Sequence, residues 1–346
     1  MRRKLAVGAL LTVVVPSAAA AAWWHSLDLA SQPLPGPDML PGQLDLMQNS
    51  VEERRGTILA IVTSTPLAGG GSVNAGLELT ELARAYYVFR ANGYDVEIAS
   101  PKGGRPPVNI DEDLGEADIA FLNDPEAQRL LADTRRLDAV DSDAYAAVYV
   151  VGGKGVMFDL AEPGPAQRII AEIYDRDGVV GAVCHGPVAL LATRLANGRP
   201  LLAGKSVTGF SNEEESFIIP NAREVFPLLL EDGLRRAPGR YSKGPMYLDH
   251  TITDGRLVTG QNPWSTWSVA ESMIRALGHT PVERAPTREE NAVHLLEIYE
   301  RHGLDRARGA APKMGEADKR LLLIHAMIAA MRGDIGEAFS LQRLAH

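Results

Sequence analysis

The sequence predicts an α/β fold built on a mostly parallel sheet flanked by helices. Three observations predict it. Apolar runs without alternation, TILAIVT over 57–63 and AAVYVV over 146–151, read as strands buried on both faces. Segments of helical period lie between such runs, so strand and helix alternate along the chain. The stretch GVVGAVCHGP, starting at Gly178, takes a buried strand into a helix with no loop between them.

The elements follow in order. The first strand is 57–63. Glu78–Asn92 has helical character and Gly93 stops it. Val96–Ser100 is the next strand, ended by Pro101, and 118–122 reads as a short strand. The strand at 146–151 runs into Gly152-Gly153. A helix at 166–176 leads to the strand 178–183, and a second helix is expected from Gly186 to Ala196. Asp254-Gly255 is a hairpin signal inside 251–259, and 263–277 returns to helix. Past 285 the character changes to helices alone, over 289–301, 317–331 and 334–344, separated by Gly303 and by Gly309–Pro312. The expected organisation is therefore a leader over 1–24, a Pro-rich linker or arm over 25–55, one α/β domain over 56–284, and a helical extension over 285–346.

The leader carries a basic start, Arg2, Arg3 and Lys4, then an uncharged apolar run Leu5–Val15 and small residues Ala18–Ala22. This is the pattern of a secretory signal peptide. Left uncut, Leu5–Trp24 is long enough for a membrane anchor, with Trp23 and Trp24 at the interface. Either reading implies an exported protein, periplasmic or membrane-anchored with its folded part outside the cytoplasm.

Composition narrows the function. With 35 basic against 44 acidic residues the net charge is −9, which argues against a nucleic-acid partner. The one cysteine excludes an intramolecular disulfide and a cysteine-built zinc site. That residue, Cys184, stands at the strand-to-helix junction, the layout of a nucleophile elbow. The strand's C-terminal end is where open α/β sheets place their sites. A helix N-terminus beside the sulfur would favour the thiolate.

AVCHGP resembles the nucleophile signature of the PfpI-like superfamily, whose fold is similar to class I glutamine amidotransferases, a flavodoxin-like three-layer sandwich. ELTELARAYYVFRANGYDVEIASPKGG from Glu78 resembles that family's first helix and second strand, and VYVVGGKGVMFDL from Val148 its glycine turn. GKSVTGFSNEEE from Gly204 and LVTGQNP from Leu257 resemble the branch of glyoxalase III enzymes and heat-shock holding chaperones. The resemblance covers about 57–277. It implies Cys184 as nucleophile, His185 as its proton-exchanging neighbour, and Glu81 as a buried carboxyl against the thiol. It further implies Glu215 as the acid that orients the histidine, with Glu213 and Glu214 as alternative registers. The resemblance also implies that Gly152 and Gly153, with the His185 N–H, form an oxyanion hole. The chain departs from the family at Ala85, where proline is usual, and at Lys154, where histidine is frequent; Lys154 is therefore a candidate substrate-binding residue.

The resemblance implies a cofactor-independent lyase of hydro-lyase type. It would act on small reactive carbonyls and convert methylglyoxal to lactate through a Cys184 hemithioacetal, with no metal, nucleotide or glutathione. Two alternatives remain. One is a stress-related holding chaperone with unfolded client proteins as partners; the other is an amidase or peptidase with the same nucleophile. A homodimer is the implied assembly.

Overall fold

The computed structural model describes residues 35–110 and 114–346. The chain divides into two compact units, whose described parts are 35–285 and Pro286–His346.

In the larger unit the apolar runs become strands. β1 (Gly56–Ile61) leads to helix α1 (Leu79–Ala91) and β2 (Tyr94–Ser100). Helices α2 (Glu116–Asn123) and α3 (Pro125–Ala132) precede the short edge strand β3 (Arg135–Arg136). Then follow β4 (Ala147–Val150), helix α4 (Pro165–Asp175), β5 (Val179–Val183) and the single turn α5 (Val188–Leu191). Helix α6 (Asn212–Ile218), the hairpin β6 (Thr251–Asp254) and β7 (Leu257–Gly260), and helix α7 (Thr266–Ala276) complete it.

The sheet order is β6-β7-β5-β4-β1-β2-β3. Every pairing is parallel except β6 with β7. Ile58, Leu59, Ala60 and Ile61 are all at most 1% exposed, the burial on both faces that their unbroken apolar run required. Helices α1 and α7 pack together, and α4 packs on β4 and β5. The result is the flavodoxin-like sandwich, and the C-terminal ends of β4 and β5 lie side by side in the middle of the sheet.

Two elements differ from the sequence reading. Residues 118–122 lie within helix α2. Gly115 starts it, and the Asp118 carboxylate accepts the Gly115 N–H at 2.8 Å. Buried Ala117, Asp118, Ala120 and Phe121 then follow helical spacing. The helix expected over 186–196 is only Val188–Leu191. Past it the chain folds back, pairing Arg194 with Pro200, around Gly198 at φ 78°.

Within 35–55, Pro41–Gln43 and Asp45–Gln48 form helical turns, with Leu44 and Leu46 buried. The second unit holds α8 (Arg288–His302), α9 (Leu304–Ala310), α10 (Lys319–Met331) and α11 (Ile335–Ala345). α8 and α9 form one hairpin and α10 and α11 a second, with α8 packed on α10 and α9 on α11. Gly303 at φ 80° and Gly333 at φ 84° supply the left-handed residues at their turns.

The expectation of membrane attachment is corrected. Among the described residues no helix is long and apolar enough to cross a membrane. The longest, α8, has 15 residues and so rises about 22 Å at 1.5 Å per residue, short of a bilayer core of about 30 Å, and it is rich in charge. The signal peptide or anchor of 1–24 lies outside the described residues. The periplasmic or exported location rested on it and is withdrawn with the anchor.

Candidate active site

The site is built where β5 ends. Cys184 follows Val183 with φ 57°, a left-handed conformation that costs an L-residue about 1–2 kcal/mol. Backbone pairings on every side hold it there. The Cys184 N–H donates to the Gly260 carbonyl at 3.0 Å, the Phe210 N–H to the Cys184 carbonyl at 2.9 Å, and the Gly186 N–H to Val183 at 2.7 Å. A Cβ on Gly186 would lie 2.4 Å from the Val150 carbonyl oxygen, so glycine is what lets the elbow close against β4.

His185 is 2% exposed. Its Nδ1 lies 3.3 Å from Cys184 Sγ and its Nε2 2.6 Å from Glu215 Oε2. With Nε2–H donating to the carboxylate, the Nδ1 lone pair is left for the thiol proton. The ring is held against Phe210 at 4.5 Å and Phe226 at 6.1 Å between centroids. Phe210 lies within the GKSVTGFSNEEE segment and Phe226 outside every motif, and for neither does the sequence say what it packs on, because an isolated apolar residue carries no such signal.

The three glutamates at the start of α6 separate clearly. Glu215 reaches His185. Glu214 is fully buried and accepts from the Ser211 N–H and hydroxyl, the Tyr247 N–H, Gln261 and Asn262. It ties the turn after β7 to α6. Glu213 is at the surface and pairs with Lys243 at 2.9 Å.

Glu81, on the first turn of α1, is 0% exposed. Its Oε2 accepts the Gly152 N–H at 2.7 Å, and Tyr149 donates to its carbonyl at 2.9 Å. Burial pushes its carboxyl well above the usual range, with the Glu78 charge adding to the effect. Its Oε1 is buried with no hydrogen-bond partner of ordinary geometry among the described residues. Glu78, a solvated neighbour by its sequence position, is itself buried at 9% exposure.

Gly152 touches both acid and thiol: a Cβ there would lie 2.4 Å from Glu81 Oε2 and 2.8 Å from Cys184 Cβ. Its N–H is already spent on Glu81. The Gly153 and His185 N–H groups take no backbone acceptor among the described residues. Gly153 has φ 91°.

The expectation of a depressed thiol pKa is corrected. Burial pushes the Cys184 thiol well up, and the Glu81 and Glu78 charges push it further; Lys154 pulls the other way. The helix meant to lower it is one turn long and begins at Val188, too short and too far on to compensate. The resting group is therefore a thiol, and His185 is positioned to take its proton. Among the described residues no cluster of His, Cys, Asp or Glu has the arrangement to hold a metal ion.

The model of the DJ-1/PfpI family matches residues 72–276. The chain is 33% identical over 232 residues to a glutathione-independent glyoxalase of Saccharomyces cerevisiae, covering 64% of this chain and 97% of that protein. It is 35% identical over 217 residues to one of Schizosaccharomyces pombe, covering 59% and 88%. The crystal structure of glyoxalase III from Candida albicans superimposes with a TM-score of 0.58 at 27% identity, covering 64% of this chain and 97% of that one. A rapid encystment protein of Francisella tularensis gives 0.61 at 30% identity, covering 64% and 99%.

Proposed function

The chain belongs to the DJ-1/PfpI family, in its glyoxalase III branch, and from that premise we propose that it converts methylglyoxal to lactate without glutathione, using Cys184 as nucleophile. The observation that carries the reading is the buried line Cys184–His185–Glu215, with steps of 3.3 and 2.6 Å, on a strained elbow beside the buried carboxyl of Glu81.

On substrate entry His185 Nδ1 takes the thiol proton, and Glu215 stabilises the imidazolium that forms. The sulfur adds to the aldehyde carbon. The carbonyl electron pair moves to its oxygen, which has the Gly153 and His185 N–H groups as donors and takes up a proton to complete the hemithioacetal. The hydrogen on that carbon then leaves as a proton and returns to the adjacent carbon through an enediol, with His185 and Glu81 as carriers. The product is a thioester. Water cleaves it, releasing lactate and restoring the thiol, so the sum is methylglyoxal plus water to lactic acid. Purified full-length protein is expected to form lactate from methylglyoxal, and Cys184→Ala to form none; equal rates would sink the proposal.

A further inference from the structure

Three glycines surround Lys154, and each is locked. Besides the Gly152 contacts with Glu81 and Cys184, a Cβ on Gly153 would lie 2.3 Å from the Gly76 carbonyl oxygen, and one on Gly155 2.2 Å from that of Ala75. The turn after β4 is therefore pinned to the site on one side and to the segment before α1 on the other. Gly152, Gly153 and Gly155 are buried, whereas Lys154 is half-buried. Its ammonium makes no ion pair or hydrogen bond among the described residues, whereas Lys205 and Lys243 are paired with Asp254 and Glu213. Its charge nevertheless acts on both Glu81 and Cys184. A cation without a partner among the described residues, two residues along a rigid turn from the group that touches the nucleophile, has no counterpart in a neutral dicarbonyl.

We propose that Lys154 forms a carboxylate subsite beside Cys184, so that the site captures aldehydes bearing an adjacent carboxylate, the glyoxylate class, as hemithioacetals. This rests on reading Cys184 as a carbonyl-adding thiol. In the step, the C–S bond forms, the aldehyde π pair goes to oxygen, and that oxygen receives the proton given up by the thiol. No oxidant or reductant enters. The carboxylate lies one bond from the carbon joined to sulfur, where an ammonium anchored on this turn can meet it. Lacking a second carbonyl to receive the migrating proton, such a compound is held and not turned over.

The test compares glyoxylate with its neutral methyl ester as protectants of Cys184 against alkylation by iodoacetamide. In wild type, glyoxylate is expected to protect at a concentration at least about tenfold lower than the ester, with the preference shrinking at high salt. Lys154→Gln should abolish the preference and Lys154→Arg should keep most of it. Equal protection by acid and ester in wild type, or a preference that survives Lys154→Gln, overturns the subsite whatever the lactate assay gives. Failure to form lactate with the preference intact overturns the proposed reaction and leaves the subsite standing.

Discussion

Substituting Glu213, Glu214 and Glu215 one at a time gives three different outcomes from three adjacent identical residues. Glu215 and His185 side chains are 4% and 3% exposed and meet at 2.6 Å. Hydrogen bonds to charged groups of this kind are worth about 1.5–3 kcal/mol. If that stabilisation is needed when His185 takes the thiol proton, Glu215→Gln lowers kcat/KM for methylglyoxal by about 10- to 100-fold, with little change in melting temperature. Glu214→Ala strands five buried donor contacts, from Ser211, Tyr247, Gln261 and Asn262. Even with relaxation it should cost about 4 kcal/mol or more of stability. Glu213→Ala removes an exposed pair with Lys243 and should cost under about 1 kcal/mol, leaving kcat/KM within about twofold. Lactate formation and urea unfolding measured on the three variants decide the matter. A Glu215→Gln enzyme as active as wild type would refute the assignment of Glu215 to His185, and a fully stable Glu214→Ala protein would refute the hub.

Other outcomes follow from the same geometry. The folded chain keeps the Glu81 proton above the ordinary carboxylate pKa of 4.5, so this group contributes stability below that pH and loses it as pH rises through the folded value. Glu81→Gln should therefore melt higher than wild type at neutral pH, with the two converging toward pH 4, while its lactate formation falls about 100-fold or more; parallel melting curves would contradict this. Gly152→Ala puts a methyl group into Glu81 and Cys184 and should lose at least about 100-fold in kcat/KM, read by steady-state kinetics. Native Cys184 should react with iodoacetamide at pH 7 more slowly than free cysteine, because burial and two carboxyl groups raise its pKa; faster labelling would show the electrostatics to be wrong. Asp118→Ala removes the buried carboxylate 3.2 Å from Arg84 that also accepts the Gly115 N–H and should destabilise by about 2 kcal/mol or more, read by urea unfolding.

The places where sequence and structure part company share a cause. Residues 118–122 carry strand-like apolar character, but a Gly115 start and a carboxylate that bonds back to it favour helix. A run such as GPVALLATRLA has helical propensity throughout, yet the return of Arg194 to Pro200 ends the helix after one turn. Glu78 and Glu81 look equivalent on a helix face, and both are buried, because the turn before α1 is pressed against the glycine turn after β4. Local preference is worth tenths of a kcal/mol per residue, and contacts between distant segments override it.

What the sequence determined by itself is the alternation of buried strands and helices, the placement of one cysteine at a strand end, and the motif that marks the family. Those depend on periodicity and on neighbours along the chain. Only the tertiary structure decided which of three glutamates meets His185, that the Gly152 N–H belongs to Glu81, and that the Cys184 thiol is pushed up in pKa and not down. Hydrogen-bond partners and desolvation arise from residues tens of positions apart, and their balance is not written in any local segment.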